Sequence, residues 1–484
     1  WNNNMAYGTL GHKPAAGFDP EALELTGVDL EIDSLWNRGG DIALQLAGLS
    51  FAERSGLVVR DAAGRFSMDS TGISLSGFRI ATPRSEIGAE LRAGAGLVSL
   101  DPSAPLAAEV HMSLAAADVE PWIVLPRSLR SRVLSGRFSA SGTLGNIPEA
   151  ILYLSIADML KINISGTAKN LPDSKRTVAS ARLSGDLRNL DPLRELLPDT
   201  ALRRRIALPR EMTLRGTATA DRGRVAADLL LSVAGGTLSA AAEFDPASDA
   251  YRAALRCDSF PLGRFLPADS LGCVDLALEA EGAGFDPLSE RTRATLRTQI
   301  DRMEFRGYDF GGPELKASLS EGRLLGTVAD RNDALRLDMT FSGNLSEERQ
   351  EVCLQGPVAG FDLQRMGLTA EPIGGSFLLA LRAAATVAGS REARLELDSL
   401  TIRNGYRTDR IRPTSLTFCT DSVSVQAGAA SGDLLLAFAS PVPLDSLTVR
   451  IMRSVGRLDA QLHERTFDMA ALQEVLPPFT LRVN

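Results

Sequence analysis

A short phrase of sequence recurs five times along this chain, and the stretches between its copies alternate apolar and polar residues. Each copy joins an apolar residue and an acid or proline to a few helix-forming residues and a closing proline. The copies begin at Val119, Leu190, Phe260, Phe361 and Phe467. An element that repeats along a chain indicates one supersecondary unit stacked on copies of itself, because a single unit cannot bury its apolar face alone. We therefore expect one continuous, elongated body over residues 1–484, with repeat boundaries near 119, 190, 260, 361 and 467.

The stretches between the phrases are typical of β-strands. Val28, Leu30 and Ile32 alternate with three acids, and a period of two places every second side chain on one face of a sheet. Turn-forming residues recur about every 8 to 16 positions, which suits hairpins and excludes βαβ crossovers. The expected fold class is all-β: an elongated, repetitive, folded-over antiparallel sheet that forms a groove, is related to β-solenoids and carries a few short helices.

Helices are expected at the phrases, where an early proline is tolerated in a first turn and the later proline ends the helix. Residues 191–205 are the longest helical candidate. The run Arg203 to Arg205 suits a helix C-terminus, where positive charge is favourable. Contact with a lipid head group is the alternative interpretation of that run.

Composition excludes several classes of function. A net charge of −8 and an aromatic content of 5% make nucleic acid an unlikely partner. No apolar run approaches the roughly 20 residues that span a bilayer, so we expect any signal peptide or membrane anchor to lie outside this sequence. A chain that opens on Trp1 is expected to be a segment of a longer protein.

The sequence carries no constellation typical of an enzyme. The three histidines are far apart at positions 12, 111 and 463, which suggests neither a catalytic triad nor a metal site. We therefore predict no enzymatic activity, no cofactor and no metal. Cys257 and Cys273 could pair as a disulfide, but their roles as small buried apolar residues are favoured.

Three stretches resemble a known family. Residues 49–57 (LSFAERSGL), 64–75 (GRFSMDSTGISL) and 78–85 (FRIATPRS) resemble the TamB proteins of Bacteroidetes-type bacteria, which belong to the wider AsmA-like group. The likeness is most specific over residues 25–90, and the recurring phrases extend it more loosely over most of the chain.

The resemblance implies a periplasmic protein anchored in the inner membrane, with the N-terminal anchor and the conserved C-terminal domain both outside this sequence. It implies a long folded-over sheet whose apolar trough carries phospholipid acyl chains toward the outer membrane, and an outer-membrane protein as partner. An older view of the family assigns help in assembling outer-membrane proteins.

The alternating apolar residues are the predicted lining of such a groove. The predicted set is Phe66, Met68, Ile73, Leu75, Phe78, Ile80, Leu296, Ile300, Leu335, Leu337, Met339 and Phe341. Register matters for this prediction, since a slip of one residue would move every side chain to the other face.

Two alternatives remain from the sequence. One is a structural β-solenoid with a filled core, which would require short regular coils. The other is a scaffold that offers sheet edges to outer-membrane proteins by strand addition.

Overall fold

The computed structural model describes residues 3–8, 18–19, 21–97, 99–120, 122, 125–173, 175–195, 199–267, 270–443, 446 and 480–483. The phrase predicted near 467, and the histidines at positions 12 and 463, lie outside these residues. The described residues are nearly all β-strand, which confirms the predicted fold class.

The chain divides into two compact units. The first holds residues 1–247 and 255–273, and the second holds residues 248–254 and 274–484. The prediction of one continuous body over all 484 residues stays a prediction.

The first unit contains fifteen complete described strands. They are β1 (Met5–Gly8), β2 (Ala22–Arg38), β3 (Asp41–Glu53), β4 (Val58–Val59), β5 (Asp61–Asp69), β6 (Gly72–Ala81), β7 (Glu86–Gly94), β8 (Pro105–Ala115), β9 (Val133–Thr143), β10 (Asn146–Ile156), β11 (Leu160–Lys169), β12 (Val178–Arg188), β13 (Glu211–Asp221), β14 (Arg224–Val233) and β15 (Gly236–Asp245). Two further strands, β16 (Ala250–Pro261) and β17 (Leu271–Ala283), contribute residues to both units.

The remaining described strands belong to the second unit. They are β18 (Arg293–Phe305), β19 (Tyr308–Asp309), β20 (Glu314–Ser320), β21 (Arg323–Arg331), β22 (Leu335–Leu345), β23 (Arg349–Asp362), β24 (Ile373–Thr386), β25 (Arg391–Asn404), β26 (Arg407–Arg410), β27 (Thr414–Thr420), β28 (Val425–Ser431), β29 (Leu434–Ser440) and β30 (Thr480–Val483).

Short helices occur at three of the predicted phrases. They are α1 (Ala116–Val119), α2 (Asp191–Arg194), α3 (Thr200–Arg205) and α4 (Leu262–Phe265). The single helix expected over 191–205 is therefore two short helices, and the three arginines end the second of them, as predicted. The phrase at Phe361 forms a turn instead of a helix.

Successive strands pair with one another, and each pairing found among the described residues is antiparallel. Connections of two to four residues join most successive strands, which is the hairpin geometry that the turn spacing predicts. Stacked coils of a β-solenoid pair parallel strands instead. The antiparallel pairing therefore disfavours the solenoid alternative.

The first three phrases lie on one side of the sheet in the first unit, where the strands that precede them end. They follow β8, β12 and β16, and strands four apart in an antiparallel order run in the same direction. A backbone contact links two connections at this edge, since Ala207 N donates to Phe265 O at 2.8 Å. Within the connection from β12 to β13, Asn189 N donates to Arg210 O at 2.9 Å. We call this the phrase edge.

An acid directly before the first phrase ties the connection after β8 to the neighbouring hairpin. The Asp118 carboxylate accepts hydrogen bonds from the Thr82 hydroxyl, from Arg84 N at 3.0 Å and from the Ser85 hydroxyl at 2.7 Å. Burial acts to raise the pKa of Asp118, but these three donors outweigh it and hold the pKa below its ordinary value of 3.8. Asp118 therefore stabilises the fold in its charged form.

Replacing Asp118 with Asn should lower the free energy of unfolding at neutral pH by about 2 kcal/mol, because three donors lose a charged acceptor. A carboxyl group with a lowered folded-state pKa stabilises the fold above its unfolded pKa and loses this effect as pH falls through the folded value. The difference in the free energy of unfolding between the Asp118→Asn variant and the parent should thus disappear below about pH 3.8. Urea unfolding from pH 7 to pH 2.5 measures this difference. A difference that stays constant with pH would contradict the role given to the charged form of Asp118.

Residues 29–38 of β2 depart from the expectation that the apolar side chains of a strand are covered. Its acids face solvent as expected, but Leu30 is 53% exposed and Leu35 is 67% exposed. Within the described residues, β1 pairs only with Ala22 to Leu25, so β2 has a neighbour on one side alone over residues 29–38. Sequence alternation cannot show this exposure, because it depends on which strands lie beside β2.

Candidate functional site

Cross-strand pairs in the first unit join apolar residues into unbroken rows. One row crosses twelve strands, from β3 to β15. Its members are Leu46, Gly64, Phe78, Ala89, Val110, Phe138, Leu152, Ile164, Leu183, Gly216, Leu229 and Ala240. At about 4.8 Å per strand, the row is about 50 Å long when followed along the sheet.

Further rows flank this one on the same face. One contains Leu44, Phe66, Leu75, Leu91, Ala108, Ala140, Ala150, Gly166, Ala181, Ala218 and Ala227. Another contains Ile80, Ile87, Met112, Gly136, Leu154, Ile162, Gly185, Leu214, Leu231 and Leu238. We call the surface formed by these three rows the first apolar face.

All six predicted residues of this unit belong to those rows or to the row beside them. Phe66 lies opposite Leu75, and Met68 lies opposite Ile73 in the adjoining row. Ile80 lies opposite Ala62 and Ile87. The structure therefore places all six on one face of the sheet, four of them in the three rows and Met68 and Ile73 in the adjoining row.

A bulge makes this shared face possible. Strict alternation would put Phe78 and Ile80 on the face opposite Ile73 and Leu75, but β6 carries one extra residue relative to β5 at Gly77. Gly77 has φ +57°, which glycine adopts at little cost. The register of β6 shifts there, and Phe78 lies over Gly64, where an added Cβ would come within 2.9 Å of the Phe78 Cα.

The second unit has an apolar face of its own. One row crosses ten strands through Leu296, Ala317, Gly326, Phe341, Leu354, Leu381, Leu395, Leu416, Ala429 and Leu436. A neighbouring row contains Leu319, Leu324, Gly343, Val352, Ala383, Ala393, Phe418, Ala427 and Phe438. We call these two rows, with the odd-numbered residues 335–341 of β22, the second apolar face.

The predicted residues of this unit also share a face. Leu296 and Phe341 lie in one row, with the Phe341 ring covering Gly326, where a Cβ would come within 2.2 Å of the ring. Met339 lies opposite Val328, while Leu335 lies opposite Phe361. Leu337 lies opposite Val358 on one side. Ile300 N donates to Pro313 O at 2.9 Å at the border of this face.

These side chains are mostly half-buried rather than fully buried. Of the twelve predicted residues, eleven are half-buried, and Met339 is buried with 8% of its surface exposed. A closely packed sandwich core would leave such side chains with almost no exposed surface. The apolar faces are therefore surfaces that a further apolar group can still contact.

The opposite faces of the same strands are polar. On adjoining strands, Arg137 lies opposite His111, and Asn163 lies opposite Ser184. Ion pairs between residues two apart recur there, as in Arg394 with Glu396 at 2.8 Å and Arg407 with Asp409 at 2.9 Å. Each strand thus separates an apolar surface from a hydrated one.

Sequence reasoning missed the small residues of the faces. Ala108, Ala140 and Ala181 occupy the row of Phe66 and Leu75, where their short side chains widen the space above the sheet. Alternation alone signals their face, as in Leu106, Ala108 and Val110, but alanine is weakly apolar and is easily passed over.

Asp330 is a charged interruption of the second apolar face. It lies opposite Leu337 and is 4% exposed, and its Oδ1 accepts a hydrogen bond from Asn332 N at 2.9 Å. Burial raises the pKa of Asp330 above its ordinary value of 3.8, against the opposing effect of its backbone donors. The carboxyl group closes the turn that leads into β22.

The described residues contain no group of three or more His, Cys, Asp or Glu side chains that could hold a metal ion. Cys257 is buried and Cys273 is half-buried. None of the helices described above has the length and apolar character needed to cross a membrane.

The chain was compared with protein families, with curated proteins and with solved structures. No match was found in any of the three comparisons.

Proposed function

We propose that this chain is a periplasmic lipid-transfer segment whose apolar faces carry phospholipid acyl chains between the inner and outer membranes. The observation that supports the proposal most is the continuity of the rows, which cross ten to twelve strands of the first unit without a polar member. The resemblance to TamB proteins supplies the lipid, the compartment, the inner-membrane anchor and an outer-membrane protein as partner.

The physical mechanism needs no reacting group. Each methylene removed from water contributes about 0.8 kcal/mol, so an acyl chain laid on an apolar row binds while its head group stays hydrated. Neighbouring positions in a row offer aliphatic side chains of similar character. A lipid can therefore move from strand to strand without losing much binding energy at any step.

Native mass spectrometry with lipid extraction tests this proposal on the chain purified from bacteria without detergent. The proposal expects several phospholipids bound to each chain. A lipid-free protein whose thermal stability is unchanged by added phospholipid would contradict it.

The exposed edge of β2 favours a second candidate function, a scaffold for outer-membrane protein assembly. Leu30, Ile32 and Trp36 are exposed beside a strand edge that has no described partner over residues 29–38. Such an edge accepts an added strand. Recovery of outer-membrane polypeptide rather than lipid from the same purification would support this candidate over the first.

A further inference from the structure

The phrase edge of the first unit contains a cleft of about 660 Å³ that lies apart from the apolar rows. Three arginines line it, Arg188, Arg210 and Arg264, together with Asn189, Asp158 and Glu211. The residues come from the ends of β12 and β13, from the turn before β11 and from α4. Three connections of one edge therefore converge on a single concave site.

Local structure fixes this convergence. Arg188 lies directly opposite Glu211 in the last register pair of β12 and β13. Asn189 follows with φ +47°, and its side-chain amide donates to Asp158 O at 3.3 Å. The contact of Ala207 N with Phe265 O holds α4, and thus Arg264, against the connection that contains Arg210. The three arginines are placed by backbone contacts rather than by acids.

The charges of the cleft are not balanced. Within the described part of the chain, Arg188, Arg210 and Arg264 form no ion pair with an acid within 4 Å. Arginines at the opposite ends of the strands do: Arg176 pairs with Asp173 at 3.5 Å, and Arg224 pairs with Asp245 at 3.1 Å. Asp158 and Glu211 offset two of the three positive charges in the cleft, so a net positive charge remains.

We propose that this cleft binds a phosphate group, carried by a phospholipid head group or by free phosphate. Guanidinium groups form paired, charge-assisted hydrogen bonds with phosphate oxygens, and three of them can surround one phosphate. Leu187, Met212 and Val233 lie opposite one another on β12, β13 and β14, and the first two are one residue away from Arg188 and Glu211. The inference goes beyond the proposed function, because acyl chains need no phosphate site to lie on the apolar face.

Binding of dihexanoyl phosphatidylglycerol, a soluble short-chain phospholipid, tests the proposal by isothermal titration calorimetry below its micelle concentration. The triple variant Arg188→Gln/Arg210→Gln/Arg264→Gln should bind it at least about tenfold more weakly, since hydrogen bonds to charged groups are lost. The matched control Arg176→Gln/Arg222→Gln/Arg224→Gln removes the same charge from the opposite edge and should bind like the parent. Dihexanoylglycerol, which lacks the phosphate, should bind all three proteins equally.

Competition by inorganic phosphate distinguishes the two sources. Displacement of the short-chain lipid by millimolar phosphate would assign the site to phosphate in general, and resistance to it would assign the site to the lipid head group. Equal affinity of the cleft variant and the control variant for the phospholipid would overturn the proposal. Failure of dihexanoylglycerol to bind at all would instead count against the apolar face as a lipid surface and leave the phosphate result interpretable.

Discussion

Replacing Phe341 with Asp should slow phospholipid transfer at least about tenfold. Phe341 is half-buried on the second apolar face, opposite Gly326 and Leu354. A carboxylate there keeps its water, and an acyl chain that crosses it must either leave the apolar surface or displace that water. A difference of 1.4 kcal/mol already amounts to a factor of ten. Transfer of a fluorescent phospholipid between donor and acceptor vesicles measures the rate.

The adjacent Thr340→Asp variant is the matched control, because Thr340 is exposed on the other face of the same strand. It should transfer lipid like the parent. The pair Ile164→Asp and Asn163→Asp repeats the comparison in the first unit, where Ile164 lies opposite Leu152 and Leu183. Thermal unfolding of all four variants checks that the strands still pair. Unchanged transfer in both apolar-face variants would contradict the conduit.

Lysophospholipid affinity should rise steeply with the length of the acyl chain. Full burial of one methylene contributes about 0.8 kcal/mol, and burial against one open face contributes about half of that. Each added methylene should therefore strengthen binding about two- to fourfold, which gives about 16- to 250-fold from twelve carbons to sixteen. Calorimetric titration with the homologous series, kept below each micelle concentration, measures this slope.

The slope also separates the apolar faces from the phosphate cleft. The triple variant Arg188→Gln/Arg210→Gln/Arg264→Gln should bind every lysophospholipid of the series more weakly by the same factor. The dependence of affinity on chain length should stay unchanged. An affinity that does not depend on chain length would mean that the head group alone is bound, and the apolar faces would then have no role in lipid binding.

Alternation in the sequence was sufficient to predict the strands and the sharing of faces, because side chains of a strand follow a strict period of two. Residues 335–341 of β22 illustrate this, since their apolar members all point to one side. The phrases also predicted where short helices occur. The short spacing of the turns was sufficient to predict that successive strands pair as hairpins.

Other features depend on three-dimensional context that no local pattern contains. The bulge at Gly77 reverses the alternation of β6, and it becomes visible only through the register with β5. The exposure of Leu30 and Leu35 depends on which neighbour strands are present. The cleft at the phrase edge unites Arg188 and Arg264, which are far apart in sequence and meet because their strands end at the same edge.

The helix expected over 191–205 is replaced by two short helices. Pro192 lies in the first turn of α2, where its missing N–H is tolerated, and the helix ends within four residues. A second helix then begins at Thr200 and ends on its three arginines. The sequence pattern indicated helix-forming residues but could not show that two short helices divide them.

The central claim is that acyl chains lie on the apolar faces and not on the polar ones. The most direct measurement places a photo-crosslinking amino acid, benzoylphenylalanine, at single positions of the protein in living bacteria and identifies the adducts by mass spectrometry. Positions 75, 164 and 341 lie on the apolar faces, and positions 92, 163 and 342 lie on the opposite faces of the same or adjoining strands. Phospholipid adducts are expected at the first three positions and none at the last three. Adducts of equal yield on both faces, or polypeptide adducts in place of lipid, would contradict it.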